Sequence, residues 1–153
     1  MRNNLAINIL RWIIAVPAGL MLWFAANFSV GRAFGIIHGF ELVDSFWEAP
    51  DMDGMPIIGT YIMFVTRTIA AASLVGVTIY IVPRYHKQVA IVVASLVSAA
   101  AVVILSFQVT SADLNVDLGG WYRNILEMLS IIFGAIFGAW MAYGSRKKRS
   151  PAS

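Results

Sequence analysis

The sequence predicts an all-α membrane protein, an antiparallel bundle of four transmembrane helices with an amphipathic interfacial segment in the first outer loop. Of its 153 residues, 59% are apolar and only 12% are charged, whereas a soluble domain carries about 25% charged residues. The apolar residues form four long runs, and nearly all charges fall between those runs. A chain of this length is expected to form one transmembrane domain over residues 1–153.

The four apolar runs set the expected helices. They cover about residues 5–28, 57–82, 89–109 and 121–143. Each run reaches the ~20 residues that a helix needs to cross a ~30 Å hydrocarbon core. A cleaved signal peptide is the rival interpretation of the first run. Arg11 and Trp12 interrupt that run, however, and its apolar part is unusually long for a signal peptide.

The basic residues predict how the helices are oriented. They open the first run, fill the turn between the second and third runs, and follow the fourth run (Arg2, Arg11, Arg84, Lys87, Arg146, Lys147, Lys148, Arg149). The outer loop 29–56 and the connection between the third and fourth runs are acidic instead. Because cytoplasmic segments are rich in Lys and Arg, we expect a bacterial plasma (inner) membrane protein with both termini in the cytoplasm. The basic tail 144–153 is expected to contact membrane lipids.

The outer loop contains a helical pattern of its own. Its apolar side chains recur at spacings of four, three and four, and its acids fall on the other face (Ile36, Phe40, Val43, Trp47; Glu41, Asp44, Glu48). This pattern predicts an amphipathic helix at the outer interface, and its acidic face is a candidate surface for a protein partner. Alternatively, the first helix continues outward through this stretch, although Gly31, Gly35 and Gly39 disfavour one rigid helix.

No cofactor or metal is expected. The stretch DMDG begins like a calcium loop, but Ile62 stands at the twelfth position, where an EF-hand needs a Glu. The two histidines, His38 and His86, fall on opposite sides of the membrane in the predicted topology, so they cannot share a haem or a metal. The chain has no cysteine, which excludes thiolate sites and thiol nucleophiles.

Two opposite charges within the apolar runs form the main candidate site. Arg67 lies 17 residues before Arg84, and Glu127 lies 19 residues before Arg146. At 1.5 Å per residue, the two charges stand ~26 Å and ~28 Å above the inner boundary. We therefore expect an intramembrane ion pair between the second and fourth helices. Arg123, one turn before Glu127, competes for the same carboxylate.

Small residues predict which helix faces pack closely. On the fourth helix, Gly134, Gly138 and Ala142 fall on the Glu127 side, and the first two form a GxxxG pattern. On the third helix, serines and alanines predict a second close-packing face (Ala94, Ser95, Ser98, Ala99, Ala101, Ser106). Asn27 and Gln108 lie toward the outer side, where they are candidates to join the Arg67 network.

These features favour a small integral membrane subunit that is not an enzyme. It would act by helix–helix and outer-loop contacts with other membrane proteins or with itself as a homo-oligomer. The alternative is a component of an oligomeric transporter or channel that uses the Arg67 and Glu127 pair. A lipid-modifying enzyme would need the outer carboxylates to converge, which their spacing does not require. No pattern typical of nucleic-acid binding is present.

Overall fold

The computed structural model describes residues 2–39, 57–111 and 118–147. These residues form four helices, α1 (Arg2–His38), α2 (Ile57–Ile81), α3 (His86–Ser111) and α4 (Leu118–Lys147). Each helix contains a stretch long and apolar enough to cross a membrane. The chain is therefore all-helical in its described part, with the composition of a multi-pass membrane protein.

Helix α2 occupies the centre of the arrangement. It packs along α4 on one side and along α1 on another, whereas α3 packs chiefly against α4 and only lightly against α2. In its most apolar stretch 44% of the residues are buried, against 11% in α1 and in α3. Helices α1 and α3 consequently expose long apolar faces to their surroundings.

The apolar core lies near the turn between α2 and α3. Its buried members come from all four helices (Ala15, Val75, Ile79, Val82, Val89, Ala90, Ala135). Alanines line α1, α3 and α4 here because they let these helices approach the larger side chains of α2. The turn itself is tight: Tyr85 has a positive φ of 60°, and its carbonyl accepts the N–H of Val89 at 2.9 Å to begin α3.

Helix α1 is longer than the sequence predicts. Residues 29–38, predicted as outer loop, are helical, so the boundary near Phe28 is wrong and the alternative of a continued helix is correct. Contacts beyond the boundary accompany the extension. Phe34 packs edge-on against Tyr61 of α2 at 5.8 Å between ring centroids, and the guanidinium of Arg32 lies 5.3 Å from the centroid of the Phe28 ring. Local contacts of this kind offset the low helix propensity of glycine.

A glycine ends α1. Gly39 has a φ of +92°, a left-handed conformation that L side chains rarely adopt, and its N–H donates to the carbonyl of Gly35 at 2.9 Å. Ile36 therefore belongs to the last turn of α1, not to a separate interfacial helix as predicted. The remaining residues of that predicted helix lie outside the described residues (Phe40, Glu41, Val43, Asp44, Trp47, Glu48).

Helix α3 packs through only part of the face that the sequence predicts. Ala101 is buried, and Ala94 and Ser98 are half-buried, as expected for a packing face. Ser95, Ala99 and Ser106 are exposed, and the Ser106 hydroxyl donates to the carbonyl of Val102 in its own helix at 2.9 Å. The face of small residues is thus divided between the packed side and the exposed side of α3.

Candidate functional site

Arg67 of α2 connects three helices through one side chain. Its Nε lies 2.7 Å from Oε1 of Glu127 in α4. Its Nη1 donates a hydrogen bond of 2.9 Å to Oδ1 of Asn27 in α1. The structure therefore brings together Arg67 and Glu127, and it adds Asn27, one of the two polar residues considered for this network. We call Asn27, Arg67 and Glu127 the Arg67 cluster.

The contact between Arg67 and Glu127 is an ion pair. It is not an aligned hydrogen bond, because the Nε–H does not point at the nearby carboxylate oxygen. Within the described residues Glu127 is the sole acidic side chain. Both side chains lie in candidate membrane spans, where an isolated charge is unfavourable, by ~2.5–3.5 kcal/mol at the bilayer centre and by less toward the edge. Pairing lowers that cost for both groups. The side chains of Arg67 and Glu127 keep 24% and 23% of their surface exposed, so the pair is only partly buried.

Asn27 is fixed by a second hydrogen bond within α1. Its Nδ2 donates to the carbonyl of Trp23, one helical turn earlier, at 2.9 Å. This bond uses the donor end of the amide and turns the acceptor Oδ1 toward the guanidinium of Arg67. The amide therefore presents the charge complement that a cation needs. A leucine of similar size could not replace it.

Two hydroxyl groups form hydrogen bonds to the backbone of α4 next to Glu127. The buried Ser130 Oγ donates to the carbonyl of Glu127 at 2.7 Å. The Thr68 Oγ1 donates to the carbonyl of Ser130 at 3.3 Å, which joins α2 to α4 one residue after Arg67. Both acceptors are backbone carbonyls of α4, so these bonds hold the helix itself and not only its side chains.

The predicted GxxxG pattern lies inside the molecule, where α4 meets α2. A Cβ added to Gly134 would lie 2.9 Å from the Cβ of Ala71, and one added to Gly138 would lie 2.7 Å from the Cα of Ala72. Real Cβ atoms essentially never approach so closely. The two glycines thus allow the backbones of α2 and α4 to touch, and Ala142 packs against the core farther along the same helix.

The α1–α2 contact contains a similar arrangement that sequence reasoning missed. The buried Thr78 Oγ1 lies 3.3 Å from the carbonyl oxygen of Ala15 and 2.8 Å from that of Leu74 in its own helix. Gly19, one turn after Ala15, leaves the space that Thr78 and Leu74 occupy. The signal in the sequence is the small pair Ala15 and Gly19 at a spacing of four, which the neighbouring Pro17 obscures.

Thr66 differs from the other buried hydroxyl residues of α2 and α4, because its hydroxyl forms no hydrogen bond. Its side chain is 2% exposed, and its Oγ1 has no hydrogen-bond partner. An unsatisfied buried hydroxyl is uncommon in a folded protein. Thr66 precedes Arg67 in the sequence, so α2 contains two consecutive polar side chains at this level.

Two other candidates for the cluster have side chains outside the described residues. The side chain of Arg123, the predicted competitor for Glu127, lies outside the described residues, although its backbone belongs to α4. The side chain of Gln108 in α3 lies outside them too. In the part of the chain that the structure describes, no group of three His, Cys, Asp or Glu residues is arranged to hold a metal ion.

Comparison with protein-family models, with curated proteins and with solved structures gives no match. Function is therefore inferred from the contacts, charges and exposures of the described residues. The Arg67 cluster is the strongest polar feature among them, because it joins three helices and contains both signs of charge.

Proposed function

We propose that this protein is a small, non-enzymatic integral membrane subunit or accessory protein of a bacterial plasma (inner) membrane. It acts by helix–helix and outer-loop contacts with other membrane proteins. The four helices form an antiparallel bundle, with both termini and the basic turn of Arg84 and Lys87 in the cytoplasm. The acidic face of Glu41, Asp44 and Glu48 is a second contact surface on the outer side.

Contacts along α1 and α2 support the antiparallel arrangement. Residue numbers fall along α1 as they rise along α2, through Phe34 with Tyr61, Asn27 with Arg67, and Ala15 with Thr78. Helices α2 and α4 run in the same direction instead, since Thr68 meets Ser130 and Ala72 meets Gly138. Such alternation is expected when each successive helix crosses the whole membrane.

The topology is testable because the chain has no cysteine of its own. Single cysteines introduced as Lys87→Cys and Asp113→Cys would each be labelled by a membrane-impermeant maleimide from one side only. We expect Asp113→Cys to react in intact cells, and Lys87→Cys to react only after the membrane is opened. Labelling of Lys87→Cys in intact cells would contradict cytoplasmic termini.

The observation that carries the accessory role is the contrast between the inside and the outside of the helices. Arg67 pairs with Glu127 and donates a hydrogen bond to Asn27, which connects three helices, as expected for a structural contact. The GxxxG face is likewise used within the molecule. Outward contacts therefore fall to the apolar faces of α1 and α3, which are exposed along their length, and to the exposed apolar and aromatic side chains of α4. Such faces suit lipid and the helices of other proteins.

Purification in a mild detergent, followed by mass identification of co-migrating proteins, tests this role. We expect a defined membrane partner to co-migrate with the wild type. Substitutions of small exposed residues, Ala25→Trp on α1 and Ala99→Trp on α3, should remove it while leaving thermal unfolding unchanged, since both sites are exposed. A protein that runs alone as a homo-oligomer and conducts ions in liposomes would contradict the accessory role.

The alternative is a component of an oligomeric transporter or channel that uses the Arg67 and Glu127 pair. The partial exposure of both charged side chains and the unpartnered hydroxyl of Thr66 favour it. This alternative predicts that the pair contacts water and that ion flux in liposomes is lost in Glu127→Gln. The accessory role predicts no flux in the wild type, so one flux assay separates the two.

A further inference from the structure

The exposed edge of the Arg67 cluster faces the surroundings of the helices. Arg67 and Glu127 keep 24% and 23% of their side-chain surface exposed although both lie within candidate spans. Helix α3 does not cover them fully: Ala101 is its last buried residue among those described, and Val102, Ile104 and Phe107 are 45%, 56% and 69% exposed. Molecules around the helices can therefore touch both side chains, although the Arg67 Nε itself is buried.

The cluster lies at a depth that lipid head groups can reach. Arg67 is six residues from the start of its span at Tyr61, and Glu127 is three residues from the start of its span at Asn124. At 1.5 Å per residue these offsets are about 9 Å and about 5 Å. Long side chains that extend toward the interface, together with local thinning of the bilayer, bridge distances of this size.

The charges of the exposed edge specify the chemistry of a ligand. A guanidinium favours a phosphate, with which it forms strong charge-assisted hydrogen bonds. A carboxylate 2.7 Å away repels an ordinary anion but accepts hydrogen bonds from an ammonium group. A molecule that carries both a phosphate and a primary ammonium complements both residues at once.

We propose that the exposed edge of the Arg67 cluster binds the zwitterionic head group of a phosphatidylethanolamine lipid in the predicted outer leaflet. The phosphate lies at the Arg67 guanidinium and the ammonium lies at the Glu127 carboxylate. A choline head group satisfies only part of this site, because its trimethylammonium has no N–H to donate. A glycerol head group brings the phosphate without a cation and meets repulsion from Glu127.

The test compares lipids that differ only in the head group. The full-length protein is reconstituted in bilayers with equal amounts of phosphatidylethanolamine, phosphatidylcholine and phosphatidylglycerol of identical acyl chains. It is then extracted in mild detergent, and retained lipids are counted by native mass spectrometry. We expect phosphatidylethanolamine to be enriched about fivefold over each of the other lipids, the ratio that roughly one charge interaction near the surface provides.

Variants assign the enrichment to the cluster. Glu127→Gln should abolish the preference for the ethanolamine over the choline head group, so that the retention ratio falls to about 1. Arg67→Gln should reduce the retention of all three lipids. Arg32→Gln is the matched control, since Arg32 is an exposed guanidinium at the same end of the molecule, and it should retain the full preference. The wild-type measurement needs no variant to fold. No preference in the wild type, a preference for phosphatidylglycerol, or an equal loss in Arg32→Gln would each overturn the proposal.

Discussion

Arg67 in α2 and Asn27 in α1 are joined by a hydrogen bond of 2.9 Å from Nη1 to Oδ1, while the same guanidinium pairs with Glu127 in α4. One side chain of the central helix thus holds the helices on both sides of it. Because each partner lies on a different helix, loss of either partner should loosen a different contact.

The hydrogen bond to Asn27 should contribute measurably to stability. Asn27→Ala should lower the free energy of unfolding in detergent by about 0.5–2 kcal/mol, since hydrogen bonds between membrane helices have this size. Asn8→Ala is the matched control, because it makes the same change in α1 at a half-buried site far along the helix from the cluster. Equal effects of the two substitutions would mean that the bond to Arg67 contributes nothing of its own.

The close approach of α4 to α2 makes Gly134 sensitive to one added methyl group. Gly134→Ala places a Cβ 2.9 Å from the Cβ of Ala71 and should destabilise the protein by about 1–3 kcal/mol through overpacking. Gly144→Ala, in the same helix but with open space around the new Cβ, should be neutral or stabilise by up to about 1 kcal/mol. Thermal unfolding in detergent measures both. A tolerated Gly134→Ala would contradict the tight contact.

Two buried threonines of α2 should respond in opposite directions to valine. Thr78→Val removes the hydroxyl that meets the carbonyl of Ala15 in α1 and should destabilise by about 0.5–1.5 kcal/mol. Thr66→Val removes a hydroxyl without a partner and should be neutral or stabilise by up to about 1 kcal/mol. The free energies of unfolding of the two variants form their own control. Destabilisation by Thr66→Val would indicate that its hydroxyl serves a ligand or water.

The end of α1 should depend on the conformation of Gly39 and not on the space around it. An added Cβ at Gly39 meets no atom within 4 Å, but its φ is +92°. Gly39→Ala should therefore destabilise by roughly 1 kcal/mol. Gly31→Ala, inside α1 with equally open surroundings, should instead be neutral or stabilising. Similar effects of both substitutions on thermal unfolding would exclude the left-handed helix end.

Some of these contacts could be predicted from the sequence, because they follow from charge and periodicity. Counting residues from the basic ends places Arg67 and Glu127 at one depth, and helix-face counting directs Glu127 and Gly134 to the same side. The structure places the pair within ion-pair distance and the glycine against α2. A charge in an apolar run has few possible partners, and a small residue in a long helix has few possible uses.

Other features leave no comparable pattern in the sequence. The length of α1 depends on contacts such as Phe34 with Tyr61, which outweigh the glycines that predicted an earlier end. The bond from Thr78 to the carbonyl of Ala15 uses a backbone acceptor that every residue possesses. The exposed side of α3 results from how it lies against α4, since its small residues run around more than one face of the helix.

The central claim is that Arg67 and Glu127 stabilise the protein together, as one pair. A double-mutant cycle with Arg67→Gln, Glu127→Gln and the double variant tests it most directly, with free energies of unfolding measured in the same detergent. The account predicts that the double variant loses less free energy of unfolding than the two single variants lose in sum, with a coupling energy of about 1–3 kcal/mol. Additive effects, with a coupling energy near zero, would contradict the pair and with it the connection of the three helices through Arg67.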